Sequence, residues 1–304
     1  MLVWFHGGAW VTGSGGWDWY AGDRLAATGD IVVVTANYRL GPLGYLWLPE
    51  EGADNLGNRD QAAVLAWVHE TIGAFGGDPR AVTVGGQSAG SYSAMGLALD
   101  PATSGYVHQL LLHSGPWGAP GRQPGDAAAI TAEYLRLLSI RQDENTGTAL
   151  RSVPVQELLG AVGQLAALLA KPGDPTAPMQ PVLTGAGLPR DDWRDAMSAG
   201  RLAGKPVLIS STTDEMAAFL PPGTPLTAEL AARGRQPAGQ DAGPRVQLCD
   251  RRVRRDRGAG LGRRRLAGLR ARACRVRGVC AADRLADQYL FRKAATSGPA
   301  IEAP

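Results

Sequence analysis

A chain of 304 residues suffices for one large α/β domain or two small ones, and its 44% hydrophobic content is that of an ordinary globular protein. No run of about 18 uncharged apolar residues occurs, so a membrane-spanning helix is not expected; Cys249, Cys274 and Cys280 match neither a zinc spacing nor a paired disulfide framework. The net charge of +3 conceals an asymmetry: residues 1–232 carry 13 Lys+Arg against 22 Asp+Glu, whereas residues 233–304 carry 18 against 6.

The chain opens on Leu2–Phe5, an apolar run that reads as a buried strand. No basic leader or cleavage site precedes it, so no signal peptide is expected, and cytoplasm and secretion both stay open. An opening directly on a core strand is expected of a chain that starts inside a longer domain. Residues 31–36, 82–84, 110–112 and 206–209 are further short apolar or β-branched runs bounded by Gly, Pro or Asp, and read as strands of a mostly parallel sheet. Helical patterns lie between them. Val64, Leu65, Val68 and Ile72 form one apolar face within residues 59–75, and the segment after Ser88, residues 127–138 and Val155–Leu169 suit further helices. This alternation predicts an α/β fold with a doubly wound sheet.

From about residue 233 the character changes. Fifteen arginines and no lysine fall between residues 233 and 277, interleaved with Gly and Ala and without either periodicity. Three readings stand: a polyanion-binding tail, a disordered basic linker, or a slipped reading frame, since a GC-rich gene read out of frame yields mainly Arg, Gly, Ala and Pro. The absence of lysine and the abruptness of the change favour the slipped frame, and nucleic-acid binding is not expected. Residues 283–291 read as helical again. The expected organisation is a partial α/β domain over 1–232, an aberrant or disordered segment over 233–282, and a short helical piece and tail over 283–304.

The sharpest chemical signal is Gly86-Gln87-Ser88-Ala89-Gly90, which follows a strand and opens a helical pattern. In that setting the glycines let strand and helix crowd around a tight turn that exposes a serine hydroxyl, a nucleophile elbow. The pentapeptide alone is a weak signal in a glycine-rich chain; its strand–turn–helix context gives it weight. A second element, His6-Gly7-Gly8-Ala9, follows the first strand and offers backbone N–H groups to a developing oxyanion. His6 itself reads as a structural hydrogen-bonding residue behind that loop. Gly13-Ser14-Gly15-Gly16 reads as a surface turn rather than a phosphate cradle, because no lysine follows it.

Taken together the segments resemble the type B carboxylesterases, the family that includes the cholinesterases. They run in order: His6-Gly7-Gly8-Ala9-Trp10, Asn37-Tyr38-Arg39-Leu40-Gly41-Pro42-Leu43-Gly44-Tyr45-Leu46, Asn55-Leu56-Gly57-Asn58-Arg59-Asp60-Gln61, Phe75-Gly76-Gly77-Asp78-Pro79, the elbow, then Ser114-Gly115. The resemblance implies an α/β-hydrolase fold with incomplete edge strands and cleavage of small-molecule carboxylic esters through an acyl-enzyme. It implies Ser88 as nucleophile and Gly7, Gly8 and Ala89 as the oxyanion hole, with no metal or cofactor. The acid matches Glu215 in Lys205-Pro206-Val207-Leu208-Ile209-Ser210-Ser211-Thr212-Thr213-Asp214-Glu215, although Met216 stands where the family has Gly.

The family's base histidine follows its acid, yet His6, His69, His108 and His113 all precede Glu215. No residue here matches the base, and a chain truncated at both ends is expected. His113, where the family commonly has Gln, is a candidate pocket residue and a conceivable substitute base. Trp117, after Ser114-Gly115, is the best-placed pocket wall, with Trp10, Trp17 and Trp19 as further candidates; core or loop packing is the alternative for each. Gln87 stands where relatives often carry Glu. Two functions remain in view, a serine esterase left inactive by the missing base and a non-catalytic hydrolase-fold binding protein. The sequence carries no signal for oligomeric state.

Overall fold

The computed structural model describes residues 1–116, 121–143, 145–170, 176–185, 188 and 193–212. Five parallel strands make one sheet: β1 (Leu2–Phe5), β2 (Val33–Ala36), β3 (Thr83–Gln87), β4 (Gln109–His113) and β5 (Val207–Ser210), in the order β2-β1-β3-β4-β5. Parallel neighbours need long crossovers, and helices supply them. In chain order these are α1 (Asp23–Gly29), α2 (Gly41–Tyr45), α3 (Leu56–Thr71), α4 (Ala89–Leu99), α5 (Pro124–Leu137), α6 (Thr146–Ser152), α7 (Val155–Leu169) and α8 (Trp193–Ser198). All five strands and α2–α8 belong to one compact unit, and Arg24–Asp30 to a second.

The five strand expectations hold to within three residues. β3 runs on through Gly85 and Gly86 to Gln87, because those glycines pair with Leu111 and Leu112 of β4. The sequence reading missed α1, α2, α6 and α8, which span only five to seven residues each and so cannot display two turns of periodicity. Helix α3 starts at Leu56, ahead of the predicted start, and its first turn packs under Tyr45: a Cβ on Gly57 would lie 2.5 Å from the Tyr45 hydroxyl. Residues 233–282 and 283–304 lie outside the described residues. Among the described residues no single helix is long and apolar enough to cross a membrane.

Helix α4 holds the centre of the fold. It packs on β1, β3 and β4, and every one of its residues is buried. A helix buried all round carries no polar face, and this one is built from Ala, Gly, Ser, Leu, Met and a single Tyr. Val3, Phe5, Val84, Leu110 and Leu112 form one core cluster with Ala94, Leu97 and Ala98. The approach of helix to sheet is closest at its first turn, where a Cβ on Gly90 would lie 2.1 Å from the Phe5 carbonyl oxygen and 2.6 Å from that of His6.

Polar residues of the quoted motifs pin the loops to this frame. Asn37 Oδ1, at the exit of β2, accepts the Gly15 N–H at 2.9 Å and the Ser14 hydroxyl at 3.2 Å. Asp60 accepts the Arg39 backbone N–H at 2.9 Å, its Nε at 2.8 Å and its Nη2 at 2.6 Å. Partial burial pushes the Asp60 carboxyl up, but the Arg39 hydrogen bonds outweigh it and hold the pKa below the ordinary value. Buried Asn55 exchanges two 2.8 Å hydrogen bonds with the backbone of Val182.

A Gly90→Ala substitution forces Cβ into backbone that has no rotamer to yield, so it is expected to destabilise the fold by about 3 kcal/mol. Urea unfolding of the two chains measures the difference, and an unchanged midpoint contradicts this account of the helix–sheet contact.

Candidate active site

The loop that leaves β1 is fixed from below. His6 is fully buried; its Nδ1 lies 2.8 Å from the Gly7 carbonyl oxygen, and its ring stacks on Tyr38 at 4.4 Å. The Tyr38 hydroxyl donates to the His6 carbonyl at 2.7 Å, and burial raises the phenol's pKa so that it stays a donor. Burial likewise lowers the His6 pKa, against a weaker opposing effect of the Gly7 carbonyl, and favours the neutral ring. His6 is thus a pin beneath the loop, as the sequence suggested.

Above it Gly8, Ala9 and Trp10 take φ values of 120°, 54° and 59°. Such a run curls the chain tightly, and the Gly8 carbonyl accepts from the Val11 and Thr12 N–H groups, both at 3.0 Å. Ala9 and Trp10 adopt a region that residues with a Cβ seldom visit. The cost is met by Trp10, which is buried, donates its indole N–H to Ser93 of α4 at 3.2 Å and meets Tyr92 edge-on at 5.6 Å. Trp10 is a core anchor, not a pocket wall. Trp17 and Trp19 are exposed and meet edge-on, and Trp17 stacks on Tyr20, which reaches Trp4 at 6.2 Å.

At the end of β3 the chain turns into α4 through Ser88, at φ 55° and ψ −121°. Strain of this kind costs about 1–3 kcal/mol and persists only where surroundings enforce it. Here the Ser88 N–H donates to the His113 carbonyl at 2.9 Å, and the Ser88 carbonyl accepts from Tyr92 at 3.1 Å. Gly86 permits the bend, since a Cβ there would lie 2.4 Å from Gly90 and 2.7 Å from the Phe5 oxygen. The serine as a whole is half-buried.

The two elements meet. A Cβ on Gly7 would fall 3.2 Å from the Cβ of Ser88, 2.7 Å from the Gln87 carbonyl oxygen and 2.4 Å from Gln87 Oε1. Only a residue without a side chain lets the loop backbone lie against the elbow. Ala89, the first residue of α4, has no intrahelical acceptor for its N–H. The structure therefore brings Ser88, Ala89 and Gly7 together, with Gly8 next along the loop. Glu215 and Trp117 lie outside the described residues.

His113, half-buried at the end of β4, hydrogen-bonds through Nδ1 to the Ser210 hydroxyl, and its ring lies 5.8 Å from Trp4. Burial lowers its pKa. None of the four histidines hydrogen-bonds the Ser88 hydroxyl: His69 lies beside the Tyr106 ring at 5.1 Å, and His108 accepts from the Val82 N–H at 3.4 Å. The pairing of His113 with Ser210 escaped the sequence reading because it depends on strand order; period-2 alternation shows it once β4 and β5 are known to be neighbours. Among the described residues no three His, Cys, Asp or Glu side chains are placed to hold a metal ion.

A parallel sheet, a strained serine elbow between the third strand and a buried helix, and a glycine loop after the first strand define the α/β-hydrolase fold. Residues 1–235 match the family model described as the carboxylesterase family. Para-nitrobenzyl esterase of Bacillus subtilis is 40% identical over 225 residues, 73% of this chain and 45% of that protein. The probable N-octanoylanthranilate hydrolase of Rhodococcus erythropolis is 39% identical over 226 residues, 73% of this chain and 48% of that protein. Among solved structures, a thermophilic PNB esterase superposes with a TM-score of 0.67 at 37% identity, covering 77% of this chain and 48% of the other. A carboxylesterase of Geobacillus stearothermophilus does so with a TM-score of 0.62 at 38% identity, covering 72% and 44%. The chain belongs to the carboxylesterase family. It spans about half the length of the curated relatives it matches.

Buried, neutral His6 makes the fold sensitive to acid. A histidine whose pKa is depressed by folding stabilises fully above its unfolded value of about 6.5 and loses that contribution as the pH falls through the folded value. The thermal midpoint is expected to fall between about pH 7 and pH 5, with His108 and His113, also lowered by burial, adding to the drop. Scanning calorimetry reads this, and His6→Gln is expected to show the smaller fall.

Proposed function

We propose that this chain carries the nucleophile and oxyanion-binding half of a serine esterase that cleaves small carboxylic esters through an acyl-enzyme on Ser88. The observation that carries the reading is the contact of the Gly7 backbone with the Ser88 elbow. Attack by the Ser88 hydroxyl on an ester carbonyl turns the carbonyl oxygen into an alkoxide. Backbone N–H groups of Gly7, Gly8 and Ala89 are the donors for it, held by the fold before substrate arrives and so needing no reorganisation at the moment of reaction. A base imidazole takes the serine proton, and Glu215 orients that imidazole and stabilises its charged form. Names among the relatives support an ester substrate, and a para-nitrobenzyl ester is the first to try.

The base is not among these 304 residues in this reading, since every histidine precedes Glu215 and none bonds the Ser88 hydroxyl. An unassisted serine is a poor nucleophile. Turnover is therefore reduced to the residual acceleration, on the order of 10³–10⁴ over water, that oxyanion donors and binding provide alone. The same observation favours a second reading, a hydrolase-fold protein that binds without catalysing. We further infer that the hydrolase segment ends near residue 232. The family match stops at residue 235, beside the onset of the arginine-rich composition, which supports a slipped frame over 233–282.

A fluorophosphonate probe is expected to label Ser88 slowly, with loss of that adduct in Ser88→Ala. Gly7→Ala is expected to slow it by about 100-fold, the cost of disturbing one oxyanion donor. Peptide mapping by mass spectrometry reads both, and an unlabelled Ser88 in the folded chain ends the esterase assignment. Translating the spanning DNA in its other frames separates the two readings: a histidine recovered downstream of Glu215 that raises turnover of a para-nitrobenzyl ester favours the enzyme.

A further inference from the structure

Among the described residues, His113 is the one histidine whose ring engages a side-chain hydroxyl. His6 faces a backbone carbonyl, His108 a backbone N–H and His69 an aromatic ring, whereas His113 Nδ1 meets the hydroxyl of Ser210. The sheet enforces this meeting. In the register of β4 and β5, His113 stands opposite Ser210, one place beyond the pair Leu112 and Ile209. Directly paired residues of neighbouring strands project to the same face. A second tie closes the corner: the Ser114 N–H, at φ 47°, donates to the Ser210 carbonyl at 2.8 Å.

Three further features suit the pair to chemistry. It lies at the carboxyl ends of two parallel strands, the edge where open α/β sheets take their ligands. Both residues are half-buried, sheltered yet reachable. The imidazole, packed beside Trp4, has its pKa lowered by burial and is a neutral acceptor at pH 7. A serine hydroxyl hydrogen-bonded to a neutral imidazole is the signature of an activated nucleophile.

We propose that Ser210 is a second nucleophile of this chain, activated by His113, and that it accepts an acyl group from small activated carboxylic esters. With the proton of the ring on Nε2, Nδ1 takes the Ser210 proton as Oγ bonds to the carbonyl carbon. The tetrahedral adduct then collapses, the bond to the leaving alcohol breaks, and the imidazolium returns its proton to the departing oxygen. The products are an O-acyl Ser210, a free alcohol and a neutral His113. The site uses a different serine. Although the Ser88 N–H donates to the backbone carbonyl of His113 at 2.9 Å, the imidazole and the Ser210 hydroxyl make no hydrogen bond to the Ser88 hydroxyl, so the proposal does not rest on the reading given above.

The test uses the full chain and an alkyl fluorophosphonate, whose fluoride is the leaving group, with adducts assigned by tandem mass spectrometry of tryptic peptides. Ser88 and Ser210 lie on different peptides, so the two assignments succeed or fail separately. The unsubstituted chain is expected to carry an adduct at Ser210. Ser88→Ala is expected to keep it, Ser210→Ala to lose it, and His113→Gln to form it at least about 100-fold more slowly, the low end of what a general base contributes. Circular dichroism checks that each variant is folded. Labelling confined to Ser88 in the unsubstituted chain overturns the proposal, as does undiminished labelling of Ser210 in His113→Gln.

Discussion

The whole arrangement depends on backbone touching backbone where the first turn of α4 meets the end of β1. Gly86 and Gly90 flank Ser88, and neither has room for a single methyl group: the nearest carbonyl oxygens lie 2.5 Å and 2.1 Å from where it would sit. That contact fixes the depth of the helix against the sheet. It forces Ser88 into its strained conformation and leaves the hydroxyl at the rim rather than in the core. Gly7 repeats the same device from the other side, letting the loop after β1 lie on the elbow. Three glycines thus convert the general geometry of a parallel α/β sheet into a particular juxtaposition of a hydroxyl and backbone amides.

Around this contact the loops are held by polar side chains doing the work of absent secondary structure. Asn37 gathers the turn at Ser14 and Gly15, Asn55 pairs with Val182 as a strand residue does, and Asp60 binds Arg39 through backbone and guanidinium at once. The ion pair is partly exposed, with 47% and 26% of the two side chains accessible. Solvent screening leaves such a pair worth at most about 1 kcal/mol, and its value lies in geometry: it sets where the chain leaves β2 and where α3 begins.

The strands were legible because β-branched and apolar runs bounded by turn residues have few other uses, and the elbow was legible because its spacing is tied to a strand and a helix. Helix α2 was not. Gly41-Pro42-Leu43-Gly44-Tyr45 reads as a turn on local propensity, yet it is one helical turn packed so close to the preceding chain that a Cβ on Gly44 would lie 2.2 Å from the Arg39 carbonyl oxygen. The role of Trp10 was illegible for a different reason, since an indole that anchors a loop and one that lines a pocket look alike until the partner, Ser93, is known. The partner of His113 required strand order, which no local pattern encodes.

The anchoring of Trp10 in α4 has a mechanical consequence. Ser88 leads directly into that helix, and the loop bearing Gly7 and Gly8 is fastened to the same helix through an indole 83 positions away from its hydroxyl partner. Hydroxyl and amides therefore ride on one rigid body, and thermal displacement carries them together instead of altering the gap between them. The turn bearing the hydroxyl and the loop bearing the amides thus share one support, and a substitution that shifts α4 shifts both together.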